Sequence, residues 1–248
     1  AAIVLAERGF RPILFERRAY LGGSAVLASK APCKGLVAEY IETQKNQLAA
    51  LGVQVELNHA PTMAELRRLD PYGIFVTMGG QQIVPDIPGI DRENVFGIED
   101  ILLGRRVIEG RKVAVIGGGH VGLEVAHFLC ANNKVTIVEM ADEIGASVYY
   151  ITKFKLLPLL REAGVTFRTG QAIAAVDDGS IRLRDTHTGQ CTELKAEAVV
   201  LAMGSRPDLA ARAAFDRNFD HVVYAGDAVR GGTMLEANRD AFALAWEF

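Results

Sequence analysis

The sequence has few cysteines and no long hydrophobic run, and each absence excludes a class of protein. Its 248 residues contain three cysteines, Cys33, Cys130 and Cys191. They are far apart and form no C-x-x-C or C-x-x-x-x-C motif, so neither a disulfide framework nor a redox-active cysteine pair is predicted. No apolar stretch approaches the roughly 20 residues that span a bilayer. We therefore expect a protein of a reducing cytoplasm that is not embedded in a membrane.

The charges and histidines exclude further classes of function. There are 27 basic and 30 acidic residues, for a net charge of −3, and no basic block that would indicate binding to nucleic acid or to an anionic membrane. The five histidines are scattered and form no H-x-x-x-H motif, so no metal site is predicted. The sequence contains no nucleophile and no acid–base pair at a meaningful spacing, so no catalytic side chain is predicted. The expected partner is a small molecule or another protein.

One segment carries a strong motif. Residues 112–139 read KVAVIGGGHVGLEVAHFLCANNKVTIVE, which predicts a strand, a glycine turn, an amphipathic helix and a second strand. Gly117, Gly119 and Gly122 have the G-x-G-x-x-G spacing. The first glycine allows a tight turn, the second allows backbone to approach a pyrophosphate, and the third allows helix to pack against strand. The sequence therefore predicts a dinucleotide site, with His120 and Val121 beside the phosphates at the helix start.

The acid that ends the second strand indicates which dinucleotide. A carboxylate at Glu139 can accept hydrogen bonds from both hydroxyls of the adenosine ribose, and it would repel a 2′-phosphate. The next residue is Met140 rather than an arginine. We therefore expect NADH rather than NADPH.

The amino-terminal residues repeat the second half of such a unit. Residues 1–8 have a helical apolar face, Gly9 ends the helix, and residues 12–15 form a short strand that is closed by Glu16. The acid parallels Glu139 as a candidate ribose ligand. We expect the strand and glycine motif of this first unit to precede Ala1, because residues 1–16 do not contain them.

Several further turns are candidate ligand contacts. In each, a glycine follows an apolar strand, and a glycine at that position lets a ligand or another part of the chain come close to the backbone. Asp227 lies at a predicted strand end beside a helix, where open α/β sheets bind ligands, and a structural helix N-cap is the less favoured alternative. The turns contain Gly22 and Gly23, Met78 and Gly79, Met203 and Gly204, and Gly226 and Asp227.

The order of these motifs resembles the flavoproteins that have two dinucleotide-binding domains. It is most similar to the FAD and NADH modules of the NADH:flavin oxidoreductase group, which includes NADH oxidase and 2,4-dienoyl-CoA reductase and carries an old-yellow-enzyme barrel. The residues that carry the resemblance are Glu16 with Leu21-Gly22-Gly23, Lys30-Ala31-Pro32-Cys33-Lys34, residues 52–59 (GVQVELNH), residues 85–89 (PDIPG), residues 117–124, Glu139 and Ala225-Gly226-Asp227.

The resemblance implies an α/β fold with two Rossmann-like βαβ domains, the NAD domain being inserted into a discontinuous FAD domain. Residues 1–104 and 205–248 would form the FAD-binding domain, and residues 105–204 the NADH-binding domain. Hydride would pass from NADH to FAD, and electrons would continue to an FMN and iron–sulfur acceptor domain of the same full-length polypeptide.

The resemblance also implies site roles. Glu124 would lie near the nicotinamide, although a glutamate inside a helix is otherwise usually solvated. The lysines of residues 30–34 are candidates for contact with a flavin phosphate or ring, or for a solvated loop. The residues implied to bind FAD are Glu16, Arg17, Gly22, Gly23, Met78, Gly79, Met203, Gly204, Gly226 and Asp227, and those implied to bind NADH are Gly117, Gly119, His120, Val121, Gly122, Glu124 and Glu139.

The sequence departs from the family pattern at two positions. The two glycine-turn strands usually carry a threonine before their glycine, and here Met78 and Met203 stand there, so the hydroxyl contacts are lost. This departure, with the absent first glycine motif, leaves open a structural module that binds only ADP. A disulfide-reductase-like flavoprotein is the other alternative, and the unpaired cysteines disfavour it.

Overall fold

The computed structural model describes residues 1–248 and contains nine α-helices and fourteen strands. The helices are α1 (Ala2–Glu7), α2 (Gly23–Lys30), α3 (Gly35–Ala50), α4 (Met63–Arg68), α5 (Ile98–Leu102), α6 (His120–Leu129), α7 (Tyr150–Glu162), α8 (Leu209–Asp216) and α9 (Met234–Glu247). The strands are β1 (Ile13–Glu16), β2 (Gln54–Leu57), β3 (Ile74–Val76), β4 (Gln81–Gln82), β5 (Val95–Gly97), β6 (Lys112–Ile116), β7 (Lys134–Val138), β8 (Thr166–Arg168), β9 (Gln171–Val176), β10 (Ser180–Asp185), β11 (Cys191–Lys195), β12 (Ala198–Leu201), β13 (Ser205–Arg206) and β14 (Val222–Tyr224). No helix is both long enough and apolar enough to cross a bilayer.

The chain forms two compact units. Unit 1 contains residues 1–29, 35–82 and 205–248, and unit 2 contains residues 30–34 and 83–204. The predicted α/β class with parallel strand pairing is confirmed. The predicted division into FAD-binding and NADH-binding domains concerns ligands and stays a prediction.

Unit 2 is built on a five-stranded sheet in the order β5-β12-β6-β7-β8, and every neighbouring pair in it is parallel. The register aligns Leu201, Ile116, Val138 and Arg168 across the sheet. The turns that follow β12, β6 and β7 therefore emerge at one edge, which is the edge where open α/β sheets bind ligands.

Three layers give unit 2 its core. One face of the parallel sheet packs through Ala114, Ile116 and Val199 against the antiparallel sheet β11-β10-β9, which contributes Ile181 and Leu183. Helices α6 and α7 contact each other, and α6 also contacts β6 and β7. Strand β12 is buried at all four positions, as expected for a strand that is covered on both faces.

Unit 1 has a less continuous sheet. Strands β1 and β2 form one parallel pair and β3 and β14 another, while β4 and β13 form a short antiparallel pair. In unit 2, strand β6 lies between β7 and β12 and is followed by the glycine turn. In unit 1 no strand is hydrogen-bonded between the pair β1–β2 and the pair β3–β14.

The core of unit 1 is correspondingly small. Val4 and Leu5 of α1 pack against Ala245 of α9, with Phe75 and Phe248 alongside. Strand β1 has no fully buried residue, in contrast to β12. Because apolar burial is the main stabilising term, we expect the strands of unit 1 to be less strongly stabilised than those of unit 2.

Candidate dinucleotide-binding site

The glycine turn after β6 is shaped by contacts within the chain. Gly117 has φ +109°, and a Cβ atom there would collide with the carbonyl oxygen of Ala202 at the end of the neighbouring strand. A Cβ atom on Gly122 would collide with the carbonyl oxygen of Gly117. Two of the three motif glycines are therefore required by the fold itself, the first for its conformation and the third for the close packing of α6 on the turn.

The middle glycine is different. Gly119 is the N-cap of α6 with φ −76° and ψ −169°, an extended conformation that any residue adopts. No atom of the chain lies within 4 Å of the Cβ position that a side chain would occupy. The space at this point of the helix start is open, and the first N–H groups of a helix have no acceptor inside the helix. This is the arrangement that accommodates an anionic group.

Glu139 lies against the same turn. Its Oε2 accepts a hydrogen bond from the backbone N–H of Gly118 at 2.6 Å, and its Oε1 accepts one from the N–H of Ala141 at 2.9 Å. The backbone N–H of Glu139 donates to the carbonyl oxygen of Arg168 at 2.8 Å, which fixes the residue at the end of β7. The structure therefore brings the predicted ribose acid and the predicted phosphate turn into direct contact.

Glu124 is buried, with 8% of its surface exposed. Its Oε1 forms ion pairs with Nζ of Lys34 and with Nε2 of His120, the latter at 2.7 Å. Burial alone would raise the pKa of the Glu124 carboxyl, but the hydrogen bonds and positive charges of His120 and Lys34 outweigh it, and the net shift is downward. The alternative of a solvated helix-interior glutamate is therefore wrong.

The Lys30–Lys34 segment belongs to unit 2, although helices of unit 1 flank it. Ala31 is buried and Lys34 pairs with Glu124. Of the two lysines of this segment, Lys34 is therefore held in an ion pair, whereas Lys30 is exposed. Ninety positions separate Lys34 and Glu124 along the chain, so no local spacing could have indicated their contact.

In unit 1 the predicted ribose acid also ends its strand. Oε1 of Glu16 accepts a hydrogen bond from the backbone N–H of Arg18 at 2.8 Å, and Arg17 is exposed. Gly22 has φ +116°, and its Cβ position faces Val26 and Ile41, whereas Gly23 opens onto free space at φ +49°. These residues form a tight turn at the start of α2.

Asp227 lies in a 3-10 turn, Gly226–Ala228, after β14. Its Oδ2 accepts from the hydroxyl of Ser205 at 3.2 Å, and its Oδ1 accepts from the N–H of Gly232 at 3.2 Å. The N-cap of α9 is Thr233, which forms a capping box with Glu236. The alternative of Asp227 as the cap of that helix is therefore wrong.

The two methionine turns differ in their surroundings. Met78 is 47% exposed and is followed by Gly79 at φ +80°. Met203 packs against the core of unit 2 and is followed by Gly204 at φ +86°, whose carbonyl oxygen accepts from the N–H of Ile83. Both turns keep the left-handed glycine even though the preceding residue has no hydroxyl.

No group of three or more His, Cys, Asp or Glu side chains is arranged to hold a metal ion. All three cysteines are free; Cys33 and Cys191 are exposed and Cys130 is half-buried.

The exposed Val121, at 38%, lies in the first turn of α6 beside His120.

Comparison with known proteins places these features in context. The family model described as pyridine nucleotide-disulphide oxidoreductase matches residues 1–221. The chain is 30% identical over 253 residues to an NADH oxidase of Thermoanaerobacter brockii, covering 100% of this chain and 39% of that protein. It is 29% identical over 251 residues to a cinnamate reductase of Clostridium sporogenes, covering 99% of this chain and 37% of that protein. The chain therefore spans well under half the length of these curated relatives.

Solved structures give the same grouping. A 2-naphthoyl-CoA reductase in complex with 2-naphthoyl-CoA superposes with a TM-score of 0.90 at 27% identity, covering 100% of this chain and 37% of that one. A thioredoxin reductase of Lactococcus lactis superposes with a TM-score of 0.78 at 18% identity and covers 99% of this chain and 92% of that one. The second likeness shows the fold alone.

Proposed function

From the premise that the chain belongs to the pyridine nucleotide-disulphide oxidoreductase family, shown by the match over residues 1–221, we propose that it is the electron-entry module of a larger oxidoreductase. In this proposal unit 2 binds NADH and unit 1 binds FAD. The observation that carries it is the direct contact between Glu139 and the glycine turn that ends β6.

The fit to NADH is supported by three features of unit 2. The open space at Gly119 lies at the start of α6, where a pyrophosphate is stabilised by backbone N–H groups and by the helix dipole. Glu139 lies beside the turn, where a carboxylate accepts hydrogen bonds from ribose hydroxyls. The exposed Met140 that follows offers no positive charge to a 2′-phosphate, so NADH is favoured over NADPH.

The fit to FAD rests on three features of unit 1. Glu16 at the end of β1, the Gly22 turn and the Asp227 corner suit a flavin dinucleotide that extends across unit 1. Unit 2 adds a complete strand, glycine turn and helix in β6 and α6, so NADH binding is the more strongly supported half of the proposal.

Bound NADH and FAD would themselves supply the hydride-transfer chemistry. The contribution of the chain is to bind, orient and compensate charge. Glu124 remains ionised beside Lys34 and His120, so it provides a fixed negative charge and a hydrogen-bond acceptor at the start of α6. The final acceptor belongs to a further domain, by analogy with the NADH oxidase and the cinnamate reductase, which are much longer than this chain.

The purified chain, reconstituted with FAD under anaerobic conditions, tests the proposal. NADH is expected to bleach the flavin absorbance near about 450 nm, whereas NADPH at the same concentration leaves most of it. A matched control replaces Glu139 with glutamine, which retains the size of the side chain and removes its charge. A colourless protein that retains ADP and never accepts FAD would support the ADP-binding alternative instead.

A further inference from the structure

The turn between β10 and β11, residues 186–190, lies against the loop that follows β7. The backbone N–H of Thr186 donates to the carbonyl oxygen of Gly170 at 2.8 Å. Its hydroxyl lies 3.1 Å from that same oxygen and 3.4 Å from the carbonyl oxygen of Met140. Gly170 in turn donates its backbone N–H to the carbonyl oxygen of Ala141 at 2.9 Å. A hairpin of the antiparallel sheet therefore supports the chain directly after β7.

His187 adds a side-chain contact between the same two segments. Its Nε2 lies 2.6 Å from Oδ1 of Asp142, and the two side chains are 65% and 75% exposed. Asp185 keeps the turn in shape, because its Oδ1 accepts the backbone N–H groups of His187 and Thr188 at 3.0 and 2.7 Å. The ring of His187 is thus carried by a well-held turn, and it connects that turn to the loop three residues beyond Glu139.

The supported loop is the one that holds Glu139 in place. The backbone N–H of Ala141 donates to Oε1 of Glu139 at 2.9 Å, and the N–H of Gln171 donates to the carbonyl oxygen of Glu139 at 3.0 Å. Movement of residues 140–142 would take the Ala141 donor away from this carboxylate. The side chain predicted to meet the adenosine ribose would then be less well oriented before a ligand arrives.

The charged groups that face His187 are both negative. Asp142 faces it from the loop after β7 and Asp185 from its own turn, whereas the turn after β8 faces it with the uncharged Gly170. The hydrogen bond and the charge of Asp142 raise the pKa of His187 above its ordinary value of 6.5. The ring is positively charged below this raised pKa and neutral above it, so its attraction to Asp142 weakens as the pH rises.

We propose that His187 is a positioning residue of the NADH site, because its ion pair with Asp142 holds the loop that presents Glu139 to the adenosine ribose. The inference rests on the proposed function, since it requires NADH to occupy unit 2 with its adenosine end at Glu139. In this role His187 acts through Asp142 and does not itself contact the nucleotide. The β10–β11 turn thereby belongs to the NADH site, although it lies outside the βαβ unit of residues 112–139.

The test compares NADH dissociation constants of the wild type, His187→Gln and Asp142→Asn from about pH 6 to about pH 9 by fluorescence titration. The measured quantity is the ratio of the variant constant to the wild-type constant at each pH. Titration of His120 at the helix start is common to these proteins and cancels in the ratio. His127→Gln is the matched control, because His127 lies in the last turn of α6, away from the glycine turn.

At the acidic end of the range, His187→Gln and Asp142→Asn should each weaken NADH binding about twofold to threefold, as suits one exposed ion pair. The His187→Gln ratio should approach one as the pH rises through the raised pKa of His187, because the wild-type ring then loses its charge. In a Glu139→Gln background, His187→Gln should have little further effect, because the two residues act in series. The His127→Gln ratio should stay near one throughout.

A His187→Gln ratio of one at every pH would overturn the inference. A ratio above one that does not change with pH would also overturn it, since a purely structural role gives that result. Hydrogen exchange without nucleotide gives a second measurement: residues 139–142 should exchange faster in His187→Gln than in His127→Gln, and equal exchange would count against the support of this loop. If the wild type binds no NADH at any pH, the proposed function of unit 2 fails, which is a separate result.

Discussion

The middle and last glycines of the turn after β6 are expected to fail in opposite ways when each is replaced by serine. Gly119 has open space at its Cβ position, whereas the Cβ position of Gly122 meets the carbonyl oxygen of Gly117. Gly119→Ser should therefore keep the stability of the fold and lower the affinity for NADH. Gly122→Ser should lower the free energy of unfolding.

The expected magnitudes follow from these surroundings. Serine is a preferred N-cap residue, and Gly119 has extended backbone, so Gly119→Ser should change the free energy of unfolding by less than about 0.5 kcal/mol. In a bound dinucleotide the new side chain would displace the pyrophosphate from the helix start. Loss of one charge-assisted hydrogen bond, about 1.5–3 kcal/mol, corresponds to a loss of NADH affinity of about 10-fold to 100-fold.

Gly122→Ser should have the larger effect on folding. The colliding atom is backbone, which cannot move aside as a flexible side chain would, so overpacking should cost about 2 kcal/mol. For a unit of this size that corresponds to a fall in melting temperature of about 6–10 °C. The better helix propensity of serine relative to glycine offsets only part of this cost.

Thermal unfolding by circular dichroism and NADH titration by fluorescence measure both effects on the same samples. NADH binding by Gly119→Ser that is as tight as in the wild type would show that no ligand group comes close to that N-cap. Unfolding of Gly119→Ser at the temperature of Gly122→Ser would show that the two positions do not differ in their tolerance of a side chain.

Three further outcomes are expected. Glu139→Gln should weaken NADH binding about tenfold and reduce the preference for NADH over NADPH, because it removes the charge that repels a 2′-phosphate. Fluorescence titration with both nucleotides measures the ratio of the two dissociation constants. An unchanged ratio would contradict the assignment of Glu139 as the ribose acid. The pKa of Glu124 lies below its ordinary value of 4.5, so the wild type should be more stable than Glu124→Gln by about 1 kcal/mol above that pH. The difference in melting temperature between the two proteins should disappear as the pH falls through the lowered pKa. A difference that persists in acid would count against the ion pair. In hydrogen exchange followed by mass spectrometry, the amides of β1 and β2 should exchange faster than those of β6 and β12, because β1 and β2 contain no fully buried residue. Equal protection of the four strands would show that unit 1 is as well packed as unit 2.

The glycine turn could be predicted from the sequence because its determinants are local. Strand, turn, helix and acid follow one another within residues 112–139, and each step has its own pattern. The position of Glu139 followed from the length of the βαβ unit. Its hydrogen bond to Gly118 did not, because that depends on how the strand end curves back onto the turn.

The surroundings of Glu124 could not be predicted in this way. Its ion pairs depend on Lys34, which comes from a loop far away in the sequence, and on the side-chain conformation of His120. The cap of α9 is a different case. Thr233 and Glu236 have the T-x-x-E spacing of a capping box, so that local signal was present in the sequence and identifies the cap that Asp227 does not provide.

The two acids that end strands are not equally prepared to bind a ribose. Each oxygen of Glu139 already accepts one backbone N–H, but a carboxylate has about four acceptor sites, so two remain for ribose hydroxyls without breaking either bond. The acid can therefore hold the glycine turn and a ligand at once, and binding requires little reorganisation. Glu16, by contrast, accepts the backbone N–H of Arg18 within its own strand-end turn. The preorganisation of the adenosine end of the NADH site is thus a property of unit 2 on its own.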